Sequence, residues 1–294
     1  MELHVHNHAR SRPQHVAYKM VPSGEAVTYE QLEDRSNQCA HLLRNEGLAR
    51  GSVIAVLMEN NARYLEITIA AERSGLYFTA ISTQLTAPEA AYIVEDAGAS
   101  VLFVSKAKFT LGKDIAQQVP GLKVFLVDGQ AEDVREYVSE RDAMPRSRLA
   151  DESQGAPMLY SSGTTGRPKG VKFPLPDARI DQMDGLTNLA VEWFNYNPDM
   201  IYLSPAPMYH TAPLRWSMSV LKVGGTAIVM EKFDAAESLR YIQEEHITHS
   251  QWVPTHFVRM LKLPQNVREQ YDLSSLQLAF HDAADIGQAA LHGL

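Results

Sequence analysis

The chain of 294 residues is longer than most single domains, and its 45% hydrophobic and 21% charged residues are ordinary for a globular protein. A formal net charge of −8, from 27 basic and 35 acidic residues, argues against non-specific binding of nucleic acid, which relies on clustered lysine and arginine. The single cysteine, Cys39, excludes an internal disulfide and a cysteine zinc site, and we predict that it is a small buried side chain.

The N-terminal segment carries alternating histidines. No apolar run reaches the length of a membrane span, and the first residues lack the basic-then-apolar pattern of a secretory signal, so the cytoplasm is the predicted location. On a strand, His4, His6 and His8 would share one face and could bind a metal ion. Histidines on a frayed terminus more often bind nothing, so both interpretations stay open.

The first half of the chain alternates between helical and strand periods. A capping-box pattern at 28–31 begins a predicted helix, and a continuous apolar run at 53–58 predicts a strand buried on both faces. Asn60 or Asn61 can cap the next helix, which runs toward Gly75. A second capping box at 86–89 begins another helix, and further strands are predicted near 78–82, 101–104 and 124–127. Residues 130–154 are polar and aperiodic, which predicts a surface connection or a weak helix within one.

The second half continues this alternation. Helices are predicted near 180–195, 214–223 and 235–246, and strands near 201–204, 226–230, 248–252 and 276–280. Such alternation predicts an α/β fold of mainly parallel sheets covered by helices. We expect two α/β subdomains, 1–155 and 156–284, followed by an atypical tail at 285–294.

The most specific motif follows a short apolar run. Residues 160–171 read YSSGTTGRPKGV, in which glycines let the backbone approach a ligand while amides and hydroxyls donate hydrogen bonds and a lysine supplies charge. These features predict a polyphosphate site. A Walker A loop is excluded, because Pro168 stands where that motif needs glycine and Gly170 where it needs serine or threonine. The alternative is a surface loop without a ligand.

This ordered string of hydroxyl, glycine and basic residues resembles the phosphate-binding signature of the adenylate-forming superfamily, which includes acyl-CoA synthetases, peptide-synthetase adenylation domains and luciferases. The resemblance implies the N-terminal domain of these enzymes, with ATP and Mg²⁺ as cofactors and CoA as co-substrate. Thr164 is the expected contributor to the metal site. The lysine usually considered catalytic lies in a C-terminal lid, so Lys169 is not given that role. The residues expected to bind the nucleotide are Ser161, Ser162, Gly163, Thr164, Thr165, Gly166 and Lys169.

Two further segments resemble the acyl site of the superfamily. Residues 205–213 follow a predicted strand, and the resemblance implies that Tyr209 contacts the substrate while His210 gates the pocket and helps to neutralise the carboxylate and the developing oxyanion. The segment 251–255 follows another strand and is expected to line the acyl pocket with Trp252, Val253 and Thr255. Trp216 could add to the pocket wall or belong to the core. The same alternative holds for Trp252, for which pocket lining is favoured.

The resemblance covers residues 28–284, which correspond to the front of a complete member almost twice as long. The Tyr-Gly-x-Thr-Glu stretch, the ribose-binding aspartate, the hinge and the lid have no counterpart here. The tail 285–294 departs from the family, which suggests a truncated or frameshifted product. A second departure is the proline-containing segment 173–176, which leaves the path of the chain after the loop undetermined.

Two functional hypotheses follow. The first is the N-terminal part of an ATP-dependent acyl-CoA synthetase for a fatty or other hydrophobic acid, inactive alone. A peptide-synthetase domain is disfavoured, because no acidic residue lies between Tyr202 and Val229 to hold a substrate amino group. The second is a non-catalytic half-enzyme that binds a nucleotide or a partner. Cutting a sheet between its elements would expose apolar surface, so homodimerisation or self-association is also expected.

Overall fold

A computed structural model describes residues 3–161 and 168–281 of the chain. The fold contains two compact units. The first comprises Met1–Tyr29, Met183–Pro207 and Ala212–Leu294, and the second comprises Glu30–Gln182 and Met208–Thr211. This division differs from the expected boundary after residue 155, because strands near the N-terminus pair with strands from the second half of the chain.

Helices and strands alternate through most of the described residues. The helices are α1 (Val5–Ser11), α2 (Tyr29–Asn45), α3 (Arg63–Arg73), α4 (Ala87–Ala97), α5 (Phe109–Gln118), α6 (Tyr137–Asp142), α7 (Gly185–Phe194), α8 (Thr211–Val223), α9 (Ala235–Glu244), α10 (Pro254–Leu261) and α11 (Gln265–Arg268). The strands are β1 (Val16–Val21), β2 (Ala26–Thr28), β3 (Val53–Leu57), β4 (Tyr77–Ala80), β5 (Ala99–Val104), β6 (Lys123–Leu126), β7 (Arg135–Glu136), β8 (Ala156–Pro157), β9 (Leu159–Ser161), β10 (Lys169–Val171), β11 (Ile201–Ser204), β12 (Thr226–Met230), β13 (His249–Trp252) and β14 (Leu278–His281).

The first unit is built on a six-stranded sheet in the order β14-β13-β11-β12-β1-β2. All neighbouring pairs are parallel except β1 and β2. Every residue of β12 is buried, as expected of a strand covered on both faces. One face packs against a hydrophobic cluster that includes Leu203, Ile228, Leu239, Trp252 and Met260. The predicted strands near 201–204, 226–230, 248–252 and 276–280 all occur, whereas β1, β2 and α10 were not predicted.

The second unit holds a parallel sheet in the order β7-β6-β5-β3-β4-β8. All five residues of β3 are buried, which confirms the continuous apolar run as a central strand. Together, the two sheets confirm the predicted α/β class. α4 begins at the expected capping pattern, where the Thr86 N–H donates to the Glu89 carboxylate at 2.8 Å and Pro88 lies in the first turn.

Residues 130–154 are more ordered than their polarity indicates. They contain β7 and α6, and Tyr137 and Arg141 of α6 are buried. Arg141 pairs with the buried Glu66 of α3, and the fully buried Arg73 pairs with Glu152 at 2.8 Å. Charged residues therefore fix this segment to the unit through buried ion pairs, which a hydrophobic pattern cannot reveal.

His6 and His8 lie on α1 and His4 is the N-cap residue of this helix, so the segment is neither a strand nor a frayed end. His8 of α1 is buried, and its Nε2 lies 2.8 Å from the carbonyl oxygen of Lys222. Its ring also meets Tyr29 edge-on at 5.3 Å. Cys39 is fully buried as predicted, and burial raises the pKa of its thiol to about 12. Within residues 3–161 and 168–281, no helix is both long and apolar enough to cross a membrane.

Candidate functional site

The predicted phosphate-binding motif lies on a β-hairpin. Its two strands, β9 and β10, are antiparallel, with Ser161 opposite Lys169 and Tyr160 opposite Gly170. Lys169 is exposed and opens the second strand. The other predicted phosphate and metal ligands, Ser162, Gly163, Thr164, Thr165 and Gly166, lie outside the described residues. The ends of the motif are thus held together by the strand pairing.

The hairpin stem is anchored in the hydrophobic core of the second unit. Met158, just before β9, belongs to that core, and the Tyr160 hydroxyl donates to the Asp96 carboxylate at 2.6 Å. Burial and this hydrogen bond raise the pKa of Tyr160, so the hydroxyl keeps its proton at neutral pH. A Cβ on Gly170 would lie 2.7 Å from Met158 Cε and 2.9 Å from Tyr160 Cζ. A larger residue at this position would require the ends of the Met158 and Tyr160 side chains to move.

The chain after the hairpin follows a defined path, which the sequence left undetermined. The Tyr77 hydroxyl donates to the Phe173 carbonyl at 2.6 Å, and the Arg50 guanidinium donates to the Pro176 carbonyl at 2.9 Å. Farther along, the Gln154 amide donates to the carbonyl oxygens of residues 179 and 182 at 2.7 and 2.9 Å. Backbone carbonyls are the acceptors in all these contacts, and the Leu175 side chain packs against the hydrophobic core of the second unit, so both fix the path.

The predicted catalytic His210 lies in the connection between β11 and α8. The Met208 N–H donates to Asn60 Oδ1 at 2.7 Å, and Asn60 is buried just beyond the carboxyl end of β3. The Tyr209 and His210 rings are 4.6 Å apart between centroids. Asn60 therefore positions the connection that carries His210. The sequence indicated Asn60 only as a possible helix cap, whereas Asn61 Oδ1 accepts from the Arg63 N–H at 2.9 Å near the start of α3.

His210 is exposed to solvent as a whole residue. Neighbouring protein atoms nevertheless desolvate its ring, which disfavours the charged form and lowers the pKa of the imidazole. The imidazole is therefore neutral at neutral pH. A neutral imidazole can donate one hydrogen bond to a carboxylate or an oxyanion, but it supplies no full positive charge.

Trp216 lies on α8 and is buried. Together with Phe194, Tyr196 and Phe280 it forms an aromatic cluster. The Trp216 ring lies 4.9 Å from that of Phe280, 5.2 Å from that of Phe194 and 5.8 Å from that of Tyr196. Phe280 belongs to β14, so this aromatic cluster covers one face of the first sheet. Trp216 is therefore a core residue of this face, and its role in a pocket wall stays a prediction.

The other predicted pocket residues lie at the end of β13. Trp252 is fully buried in the hydrophobic cluster of α9 and α10, and its indole N–H donates to Ser250 Oγ at 2.5 Å. Gln251 is in register with Phe280, and side chains alternate along a strand, so Trp252 faces away from the aromatic cluster. Val253 precedes α10 and Thr255 is exposed in its first turn. The structure does not bring Trp252 and Trp216 together.

Strand connections in the first unit define a crevice. In the order of the sheet, β13 and β11 are neighbours. From β11 the chain passes through α8 to β12, which lies beside β11 and away from β13, whereas from β13 it passes through α10 to β14, which lies beside β13 and away from β11. Neighbouring strands whose connections diverge in this way leave a crevice at their carboxyl ends, where ligands of α/β folds bind. Ser204 and Trp252 are the last residues of these two strands.

Comparison with known proteins defines the class. The chain matches the AMP-binding enzyme family over residues 5–294 and belongs to that family. The match includes residues 285–294, the tail whose sequence departs from the motifs of the superfamily.

Similar individual proteins are ligases. Fatty acid–[acyl-carrier-protein] ligase ScoC of Streptomyces coeruleorubidus is 28% identical over 97% of this chain and 53% of its own length. 4-Coumarate–CoA ligase 3 of Oryza sativa subsp. japonica is 28% identical over 90% and 48%. The inhibitor-bound N-terminal domain of FACL13 from Mycobacterium tuberculosis matches with a TM-score of 0.81 and 24% identity, over 99% of this chain and 72% of that one. The chain thus spans about half the length of these curated relatives.

Proposed function

We propose that this chain is the part of an AMP-forming acid–thiol ligase that holds the ATP phosphates and the carboxylic acid. One observation carries the proposal: in a member of the AMP-binding enzyme family, the two ends of the phosphate signature form paired strands, and Gly170 of this stem packs closely against Met158 and Tyr160. A fixed base beneath a phosphate-binding segment lowers the entropic cost of binding.

The proposed reaction has two steps. A carboxylate oxygen attacks the α-phosphorus of ATP, the bond to the bridging oxygen breaks, and pyrophosphate leaves. A thiol sulfur then attacks the acyl carbon and AMP leaves with the shared oxygen. Lys169 and the loop donors stabilise the charge that develops on pyrophosphate, and His210 donates a hydrogen bond to the acid. The Thr164 hydroxyl is an oxygen donor of the kind Mg²⁺ accepts beside phosphate oxygens and water.

The proposed substrate is a hydrophobic acid. Support comes from the aromatic cluster beside the crevice and from the lack of an acidic residue between Tyr202 and Val229. CoA is the proposed thiol, although the names of the relatives specify CoA in one case and an acyl carrier protein in another. A cytoplasmic location fits a reaction that consumes ATP and CoA.

A fusion protein tests this function. The chain replaces the N-terminal half of the ScoC relative, and acid-dependent exchange of pyrophosphate into ATP is measured with a panel of hydrophobic acids. We expect exchange by the fusion and none by the chain alone. Lys169→Ala should lower the exchange rate about 100-fold, the size typical of one lost charge-stabilising donor.

Lys172→Ala is the matched control. The Lys172 ammonium lies 4.4 Å from the centre of the Tyr77 ring, so this variant removes the same charge from a packing position near the loop. Its exchange rate should stay close to that of the unmodified fusion. Equal losses in the two variants would contradict a phosphate role for the loop. ATP binding by a folded fusion without acid-dependent exchange would favour the non-catalytic hypothesis.

A further inference from the structure

Ser204 and Gln251 lie side by side at the crevice between β11 and β13. The register pairs Tyr202 with His249 and Leu203 with Ser250, and one more step places Ser204 beside Gln251. Gln251 is in turn paired with Phe280. Paired residues of parallel strands project to the same face, so both polar side chains share the face that carries the aromatic cluster.

Both side chains are fully buried, yet each retains an atom without a hydrogen-bond partner in the part of the chain that the structure describes: Ser204 Oγ and Gln251 Oε1. The Gln251 amide nitrogen donates to the Trp252 carbonyl at 3.2 Å, which leaves the amide oxygen as the unpaired end. Buried polar atoms are nearly always paired in native proteins, so two such atoms together indicate a missing water or ligand.

Other hydroxyls on and beside this sheet have hydrogen-bond partners. Thr248 Oγ1 lies 2.8 Å from His249 Nδ1, and on the covering helices Thr187 Oγ1 lies 3.2 Å from Ser219 Oγ. Ser204 Oγ and Gln251 Oε1 lie at the carboxyl ends of β11 and β13, at the edge where α/β folds bind ligands.

The chemistry of the two atoms restricts the ligand. An amide oxygen only accepts hydrogen bonds, whereas a serine hydroxyl accepts or donates. A hydroxyl on the ligand could donate to Gln251 and accept from Ser204, and the aromatic cluster would contact the apolar body of the same ligand. We propose that Ser204 and Gln251 recognise a hydroxyl substituent on the hydrophobic acid. That the ligand is an acid rests on the proposed function, whereas recognition of the hydroxyl does not.

Binding of matched ligands to the 294-residue chain tests this proposal. The dissociation constants of 3-(4-hydroxyphenyl)propionate and 3-phenylpropionate are compared by calorimetry, together with those of 8-hydroxyoctanoate and octanoate. The neutral pair 4-ethylphenol and ethylbenzene tests the hydroxyl without a carboxylate. We expect at least one hydroxylated ligand to bind about 10-fold more tightly than its partner, as one or two buried hydrogen bonds would produce.

Three variants separate recognition from folding. Gln251→Leu and Ser204→Ala should each bring the hydroxyl preference close to 1, while the partner without the hydroxyl binds as before. Ser219→Ala removes a buried hydroxyl that is already paired, so it should keep the preference but lower the melting temperature by roughly 2–4 °C. Ser204→Ala removes an unpaired hydroxyl and should leave the melting temperature unchanged or raised.

The outcomes distinguish the two proposals. Acids that bind without a hydroxyl preference, or a preference that survives both variants, would overturn the inference and indicate that the two atoms hold water only. A preference among the neutral ligands with no contribution from the carboxylate would support hydroxyl recognition and count against the acid ligase. Failure of every ligand to bind would also overturn the inference.

Discussion

Gly155 lies where two parts of the backbone nearly touch, and Gly155→Ala tests that contact. A Cβ at this position would lie 2.2 Å from the carbonyl oxygen of Leu76, 2.8 Å from that of Ala71 and 2.9 Å from the Leu76 nitrogen. All three are backbone atoms, so no side-chain rotation can relieve the clash. The nearby hydrogen bonds, from the Gly155 N–H to the Glu72 carbonyl at 2.6 Å and from the Ala156 N–H to the Leu76 carbonyl at 3.1 Å, fix the approach.

The expected cost combines two effects. Overpacking of a tight site costs about 1–3 kcal/mol. Moving β8 away from β4 would also weaken two backbone hydrogen bonds, each contributing about 1 kcal/mol. We therefore expect Gly155→Ala to lower the free energy of unfolding by about 3–5 kcal/mol.

Urea unfolding followed by far-ultraviolet circular dichroism measures this loss. Tryptophan fluorescence is unsuitable, because all three tryptophans of the chain belong to the first unit whereas Gly155 belongs to the second. Gly98→Ala and Gly185→Ala are the controls. Gly98 has a φ of +67° with open space around its Cβ position, so its variant should lose about 1 kcal/mol. Gly185 opens α7 with neither constraint, so its variant should lose nothing. A loss at Gly155 no larger than that at Gly98 would refute the steric reasoning.

Two further predictions concern buried charges. Burial alone would raise the pKa of Asp184, but the ammonium of α8 at 2.6 Å and hydrogen bonds to the start of α7 outweigh it and hold the pKa well below its ordinary 3.8. At pH values above 3.8, Asp184→Asn should therefore have a lower free energy of unfolding than the unmodified chain. The difference should vanish in acid, where Asp184 itself is protonated. Asp234→Asn at the N-cap of α9 is the control for the loss of a capping charge. Arg73→Met should lower the free energy of unfolding in urea by about 3–5 kcal/mol, because the buried Glu33 loses its ion pair with Arg73 and the partly buried Glu152 keeps only Arg148. A loss below about 1 kcal/mol would contradict this.

The elements that could be predicted from the sequence are those whose pattern is local. β3 and β12 are recognisable because a strand covered on both faces needs an uninterrupted apolar run. α4 is recognisable because its capping pattern lies within four residues. β1 escaped prediction because its partner β12 is far downstream, where Tyr18 meets Ala227, and nothing within residues 16–21 indicates that pairing.

The same limit applies to the candidate site. The phosphate motif and the His210 segment are continuous strings, so their residue types could be read directly. The positioning role of Asn60 could not, because the group that it holds is the Met208 N–H, distant in the chain. For Trp252 the sequence favoured pocket lining, whereas the structure encloses its indole among core residues and gives the crevice face to Gln251. A polar residue within a buried strand was the available signal, because such a side chain requires a partner.

The two strands that flank the predicted phosphate motif fix its ends. Ordering a glycine-rich segment around a ligand costs conformational entropy. The stem limits that cost, because strand pairing and the Tyr160–Asp96 hydrogen bond fix both ends of the loop before any ligand arrives. Gly170 thus links core packing to the loop: any larger residue there would press on Met158 and Tyr160 and displace Lys169 next to it. The proposed binding of the ATP phosphates would therefore depend on Gly170 through the packing of its neighbours.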